Sequence, residues 1–335
     1  MNELNELREH ARRAGDKLLE DLRYAEVTTS GWSNRERTEL EVSRIMNSCL
    51  DDLALTNCWG KANRVPSNVL WKVAGEVLSV GWLQQHARQK PRGYAGDFEM
   101  IDKIVNRSLC SDSLGRAFDH FFQEQAAPYA VRFRTQLVAD RIVRIVREAK
   151  GERVHICSVG CGPAIDVDLA CRELTQDERA KLVVTLLDLD PDALTHARHR
   201  LESSLDASQL CIQRENLFRL PKLRKARALL EYSDFIACTG LFDYLTDADA
   251  VEMLGCFWSQ LSDIGEMIVF NFAPSNPSRA YMEWIGNWYL TYRDEDNVAG
   301  LIDAAVGEQA KSQVARDEFD ASVYVTCQKL ESSLT

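Results

Sequence analysis

From about residue 154 onward the chain alternates short apolar runs with amphipathic stretches. Apolar runs at 154–159, 183–187, 210–214, 234–238 and 266–272 predict strands, and helical spacing at 165–174, 191–203, 220–230 and 247–262 fills the intervals. Such alternation predicts a parallel sheet with helices on both faces. Two further strands, 313–318 and 322–328, follow one another around 319–321, and a turn that short forces antiparallel pairing. The pattern therefore predicts an α/β domain: a seven-stranded, mostly parallel sheet closed by a C-terminal antiparallel hairpin.

The first 150 residues read differently. Apolar positions recur at three- and four-residue spacing through Leu4, Leu7, Ala11 and Leu18, through Leu40, Val42, Ile45 and Met46, and through Val69, Val73, Val77, Val80 and Leu83. Breakers are sparse, at Gly31, Gly60, Pro66, Pro91, Gly93, Gly96 and Pro128. A helix over about 129–149 leads into the first strand through Lys150-Gly151. The expected organisation is an N-terminal helical cap and substrate domain over 1–128 and the sheet domain over 129–335. A cap over the carboxyl ends of parallel strands is where selectivity usually resides.

Composition narrows the function. No run reaches the roughly 18 apolar residues that a membrane span needs, and the charged start of the chain is unlike a signal peptide, so a cytoplasmic location is expected. Residues 1–150 carry 23 Lys and Arg against 21 Asp and Glu, and the remainder 17 against 30. Neither half concentrates basic charge as a nucleic-acid binder does. The expected partner is a small-molecule substrate, with no nucleic acid and no membrane; a homodimer or protein partner leaves no signal in the chain. The 10 cysteines form no Cys-x-x-Cys pair, which points to buried thiols and no metal site.

The most informative string is Ser158-Val159-Gly160-Cys161-Gly162-Pro163-Ala164, where a strand enters a glycine turn and then a helix. Gly160 and Gly162 permit a left-handed backbone and close approach to a ligand, and the helix start offers amide N–H groups. The third glycine of a dinucleotide turn is missing, so no pyrophosphate is implied. The next strand ends at Leu187-Asp188, where a carboxylate can accept from both hydroxyls of a ribose; Asp190, followed by Pro191, suits a helix N-cap instead. Cys161 reads as a small residue tolerated beside a ligand rather than a nucleophile.

This arrangement resembles the S-adenosylmethionine site of class I methyltransferases. The strings Lys90-Pro91-Arg92-Gly93-Tyr94-Ala95-Gly96-Asp97, Gly240-Leu241-Phe242-Asp243-Tyr244-Leu245 and Asn276-Pro277-Ser278-Arg279-Ala280-Tyr281-Met282-Glu283 extend the likeness. Over roughly residues 60–330 the chain resembles a bacterial class I family that includes the synthase of 3-hydroxypalmitic acid methyl ester, a quorum-sensing signal. One departure is Ile165-Asp166, where that family is expected to carry an Arg-Glu type pair.

The resemblance implies S-adenosyl-L-methionine as cofactor, held by Gly160, Cys161, Gly162, Asp188, Thr239 and Gly240, with Asn216 on the adenine amine. It also implies O-methylation of a carboxylate on a hydroxy fatty acid or similar metabolite. A carboxylate acceptor needs no base, only a cation to hold it: Arg92 and Arg279 first, then Arg293. Asn276 and Tyr281 join the expected substrate contacts. For a hydroxyl or amine acceptor, Tyr94, Asp97 or Glu283 would take the proton, with Tyr244 facing the methyl group. Three alternatives stay open: N- or O-methylation in natural-product biosynthesis, a methyltransferase fold put to cyclisation or elimination, and a non-catalytic binding or partner subunit.

Overall fold

The structure, a computed structural model, describes residues 2–222, 224–307 and 310–329. The chain forms two units, one comprising the residues up to Tyr129 together with Pro277–Leu290, the other Ala130–Asn276 and Thr291 onward.

The first unit contains α1 (Asn2–Thr28), α2 (Arg35–Ala54), α3 (Arg64–Leu78), α4 (Trp82–Gln89), α5 (Phe98–Val105) and α6 (Ser113–Gln123). Three of these start on a side-chain cap: Asn34, Asp97 and Asp112 each accept the N–H three residues on. Ala11, Leu18, Leu22 and Ala25 form the buried stripe of α1. The 277–290 segment is bound into this unit by a single π-helical turn at Tyr281–Ile285. Its Trp284 is buried, the Trp284 carbonyl accepts from Ser67 Oγ at 2.8 Å, and Ser278 Oγ accepts from Ala127 N at 2.8 Å.

Most of α7 (Ala126–Glu148) belongs to the second unit. Pro128 lies in its first turn, where a missing N–H costs nothing, so it begins the helix rather than breaking it. There follow β1 (Val154–Val159), α8 (Ile165–Glu173), α9 (Gln176–Ala180), β2 (Leu182–Asp188), α10 (Pro191–Leu201), β3 (Leu210–Arg214), α11 (Arg224–Arg227), β4 (Ser233–Cys238), α12 (Asp247–Gln260), β5 (Leu261–Phe272), α13 (Glu295–Val306), β6 (Ala310–Arg316) and β7 (Ser322–Lys329). The seven strands are ordered β3-β2-β1-β4-β5-β7-β6. All pairs are parallel except β5 with β7 and β6 with β7, which is the expected architecture.

Alternation along the strands divides the core into two layers. On one face Ile156, Val184 and Phe235 meet Val138, Ile142 and Val146 of α7 and Leu194 and Leu201 of α10. On the other, Cys157, Val159, Ile236 and Val269 meet Met253 and Phe257 of α12 and Ile302 of α13. Glu266 of β5 is buried, and Arg141 and Arg144 of α7 donate to it at 2.8 and 2.6 Å.

One expected element fails. The helix predicted over 220–230 breaks into 3-10 turns around the single turn of α11. Pro221 removes a donor there and lies inside a 3-10 turn. Among the described residues, no helix is long and apolar enough to cross a membrane.

Candidate active site

Between β1 and β4 the chain order reverses: β2 and β3 extend the sheet one way, β5 the other. The carboxyl ends of strands at such a switch point form the ligand crevice of open α/β sheets. Gly160, Gly162 and Ala164 all have left-handed backbone there, at φ 68°, 49° and 50°. The two glycines take this conformation at no steric cost and only Ala164 is strained by it; a backbone carbonyl and a side chain of β2 hold the turn. Leu187 O accepts from Gly160 N at 2.8 Å and Cys161 N at 3.1 Å. Asp188 Oδ2 accepts from Gly162 N at 2.9 Å, and its Oδ1 from Asp190 N at 3.0 Å. Asp188 is buried, and burial raises its pKa above the ordinary carboxylate value.

A Cβ on Gly160 would meet only Leu217 Cδ1, at 3.5 Å, and one on Gly240 only Arg134 Nη2, at 4.0 Å. The crevice is therefore open above both glycines. Burial pushes the Cys161 thiol pKa well up, which makes it inert at neutral pH. Asp190 caps α10, accepting from Asp192 N at 2.9 Å. Asn216 is exposed just past β3, and its side-chain oxygen already accepts from Phe218 N at 3.2 Å; both observations count against the expected adenine contact. Thr239, Gly240 and Tyr244 are half-buried just past β4.

Past β5 the expected substrate contacts give way to structural roles. Arg293 is 2% exposed. Its five N–H donors are spent on Asp247 Oδ1 at 2.9 and 2.8 Å, Phe242 O at 2.9 Å, Leu245 O at 2.7 Å and Asn271 Oδ1 at 2.6 Å. Nothing remains to hold a substrate carboxylate. Asn276 is also buried, in a turn closed by its own N–H on Ala273 O at 3.0 Å.

The remaining candidates belong to the helical unit, where Gly96 packs against Trp288 from the segment past β5. A Cβ on Gly96 would stand 2.7 Å from Trp288 Cζ2. Asp97 is fully buried; it caps α5 through Met100 N at 3.0 Å and meets His86 Nε2 at 2.7 Å. That pairing accounts for the cluster of His86, Asp97 and Glu99, and it occupies the carboxylate that was a candidate base. Arg92 donates to Glu99 at 2.9 Å and lies 4.4 Å over the Phe98 ring, with Tyr94 half-buried beside it in sequence. Glu283, likewise fully buried, accepts from Arg279 Nε at 2.9 Å and from Gly60 N. Tyr281 is also buried, donates to Gln84 Oε1 at 3.0 Å and stacks on Phe122 at 4.7 Å, while burial takes its pKa far above the usual phenol value. Asp97, Glu283 and Tyr281 are thus corrected to scaffold roles by burial and satisfied bonding. Arg279→Leu is accordingly expected to cost roughly 3 kcal/mol of stability, because it strands a buried carboxylate; a denaturant midpoint equal to that of the wild type would refute the scaffold role.

Two charged groups of the sheet unit, Arg134 and Asp243, were not among the expected site residues, although Asp243 lies inside the 240–245 string. Arg134 of α7 is 6% exposed. Asp243 is buried, and its Oδ1 accepts from Phe272 N at 2.7 Å and Asn271 Nδ2 at 3.2 Å. Burial pushes the Asp243 pKa up to about 6 against the pull of Arg134 and Arg293. A carboxyl raised in the folded state contributes stability that is complete below its unfolded value, near 3.8, and lost as pH rises through about 6. The stability of the wild type relative to Asp243→Asn should therefore fall between pH 4 and pH 7. Urea unfolding of both proteins across that window checks the sign, and a constant difference would exclude it.

No protein-family model matches the chain, and no curated protein does. Among solved structures it is similar to a possible exported protein from Bordetella parapertussis, at 16% identity and a TM-score of 0.58, over 98% of this chain and 96% of that one. It is also similar to the CurJ carbon methyltransferase, at 10% identity and a TM-score of 0.53, over 98% and 91% of the two chains. At these identities the likeness is one of fold, the Rossmann-like class I methyltransferase architecture, and it extends over nearly the whole length.

Proposed function

We propose that the protein is an S-adenosylmethionine-dependent methyltransferase acting on a small molecule. One observation carries the reading: a buried carboxylate at the end of β2 accepts from the glycine turn at the end of β1, beside the switch point of the sheet. The residues present fit such a cofactor, since the space over Gly160 and Gly240 is open and a buried guanidinium borders it.

In this reading Asp188 receives the two ribose hydroxyls, and the turn from Gly160 to Gly162 lies along the nucleoside. Thr239 and Gly240 offer backbone carbonyls to the ammonium group. Bound cofactor supplies a methyl group already activated on a sulfonium. The chain's task is then to align the acceptor and exclude water, and positioning of this kind is worth roughly 7–11 kcal/mol. Tyr244, next to Asp243 past β4, is proposed to shape the acceptor side of the crevice.

For the acceptor we propose the carboxylate of a hydroxy fatty acid or similar metabolite, supported by the resemblance of the 90–97 and 276–283 strings alone. A carboxylate is already a nucleophile, so the occupation of Asp97 and Glu283 by structural bonds is no obstacle to it. Incubation with methyl-labelled S-adenosylmethionine and a metabolite extract tests the whole reading. The expected products are S-adenosylhomocysteine and a labelled, base-labile ester. Labelled product without an ester would leave methyl transfer standing and remove the carboxylate; no S-adenosylhomocysteine would remove both.

A further inference from the structure

Arg134 is a buried cation without a counter-ion at hydrogen-bond distance. At 6% exposure it donates no hydrogen bond to any described residue. Its guanidinium carbon lies 5.7 Å from the centre of the Phe272 ring. Asp243, the first of the groups that favour its charge, already spends Oδ1 on Phe272 N and Asn271. A guanidinium so largely buried is costly unless an anion meets the donors that still face the crevice. Among the described residues outside its immediate chain neighbours, its Nη2 is the atom that comes within 4.0 Å of the point where a Cβ on Gly240 would stand, so it borders the end of β4.

The sheet sets the spacing of the two charged groups. Asp188 ends β2, Gly240 follows β4, and β1 lies between them. Two interstrand steps span about 10 Å. The crevice thus offers an acceptor for hydroxyls at one side and a cation for an anion at the other, which suits a nucleoside carrying a short anionic chain on its 5′ side.

We infer that Arg134 receives the α-carboxylate at the amino-acid end of the adenosyl ligand. This rests on the proposed function, and the experiment separates the two. The probes are S-adenosylmethionine and its decarboxylated form, which keeps the nucleoside, the sulfonium and the amine. By calorimetry the wild type should bind the first roughly ten- to hundredfold more tightly, the value of a charged hydrogen bond. Arg134→Gln should bind both alike, with affinity for the decarboxylated form unchanged, and Arg134→Lys should keep part of the preference. Equal binding of the two probes by the wild type overturns the inference without any substitution, so a variant that fails to fold cannot shield it. Undiminished preference in Arg134→Gln overturns it as well, including the case in which only the KM for the acceptor rises. Binding of neither probe by the wild type removes the proposed function itself.

Discussion

Asp188→Ala is expected to weaken S-adenosylmethionine binding by about a hundredfold while leaving the melting temperature nearly unchanged. The two effects part because the carboxylate does two things in the folded protein. It accepts from Gly162 N and Asp190 N, and each lost bond to a charged acceptor costs roughly 1.5–3 kcal/mol. Yet it is buried, and burial is the largest influence on its pKa, so its removal also relieves a desolvation cost of the same order. Stability gains and loses similar amounts. Binding only loses, since no other acidic side chain ends β2 and the turn that Asp188 holds is itself part of the site. Asp188→Asn should fall between, because the amide oxygen can still accept from Gly162. Gly162→Val should be worse than either, as a β-branched residue is strained at φ 49°. Calorimetry on the three variants decides: normal affinity in Asp188→Ala would end the assignment of this crevice to an adenosyl ligand.

What was legible in the sequence follows from the range over which each signal acts. The turn at Gly160–Gly162 and the carboxylate at Asp188 are local: each sits where an apolar run stops, so the strand pattern places them without knowledge of the fold. The C-terminal hairpin was legible as two successive strands, with the first expected at 313–318 and found at Ala310–Arg316. Arg134 was not, because a charge on a helix containing Val131, Val138 and Ile142 reads as part of the solvent face; only the packing of α7 on the sheet buries it. The aromatic string after β5 was half legible. Trp284 and Trp288 read as core residues and are buried, but their spacing says nothing about which unit they complete. That depends on Ser67, Asn63 and Gln84, which meet Trp284, Tyr289 and Tyr281 across some 200 residues of sequence. The strings 90–97 and 276–283 invited a substrate role because glycines and prolines display polar groups there. In the structure much of that polarity is turned inward, onto His86, Glu99 and Gly60.

Arg293 is the clearest case of polarity turned inward, and it carries the largest expected loss of stability. Arg293→Met keeps most of the buried stem and deletes every donor. Loss of the ion pair matters little, since the Asp247 side chain is 78% exposed and returns to water. The cost comes from the neutral partners. The carbonyl of Leu245 and the side-chain oxygen of Asn271 lose their donors, whereas Phe242 O keeps Leu245 N at 3.2 Å, and a buried acceptor left unpaired costs roughly 1–3 kcal/mol. The sum over these two is about 4 kcal/mol, a large share of a typical domain's stability. Asn271 also donates to Asp243 Oδ1 at 3.2 Å, so the loosening should spread to the turn that carries Tyr244. Arg293→Lys should recover little, because one ammonium cannot reach acceptors spread around a planar fork. Chemical denaturation followed by fluorescence measures the loss. A variant that unfolds at the wild-type midpoint yet fails to turn over substrate would return Arg293 to the role of substrate ligand.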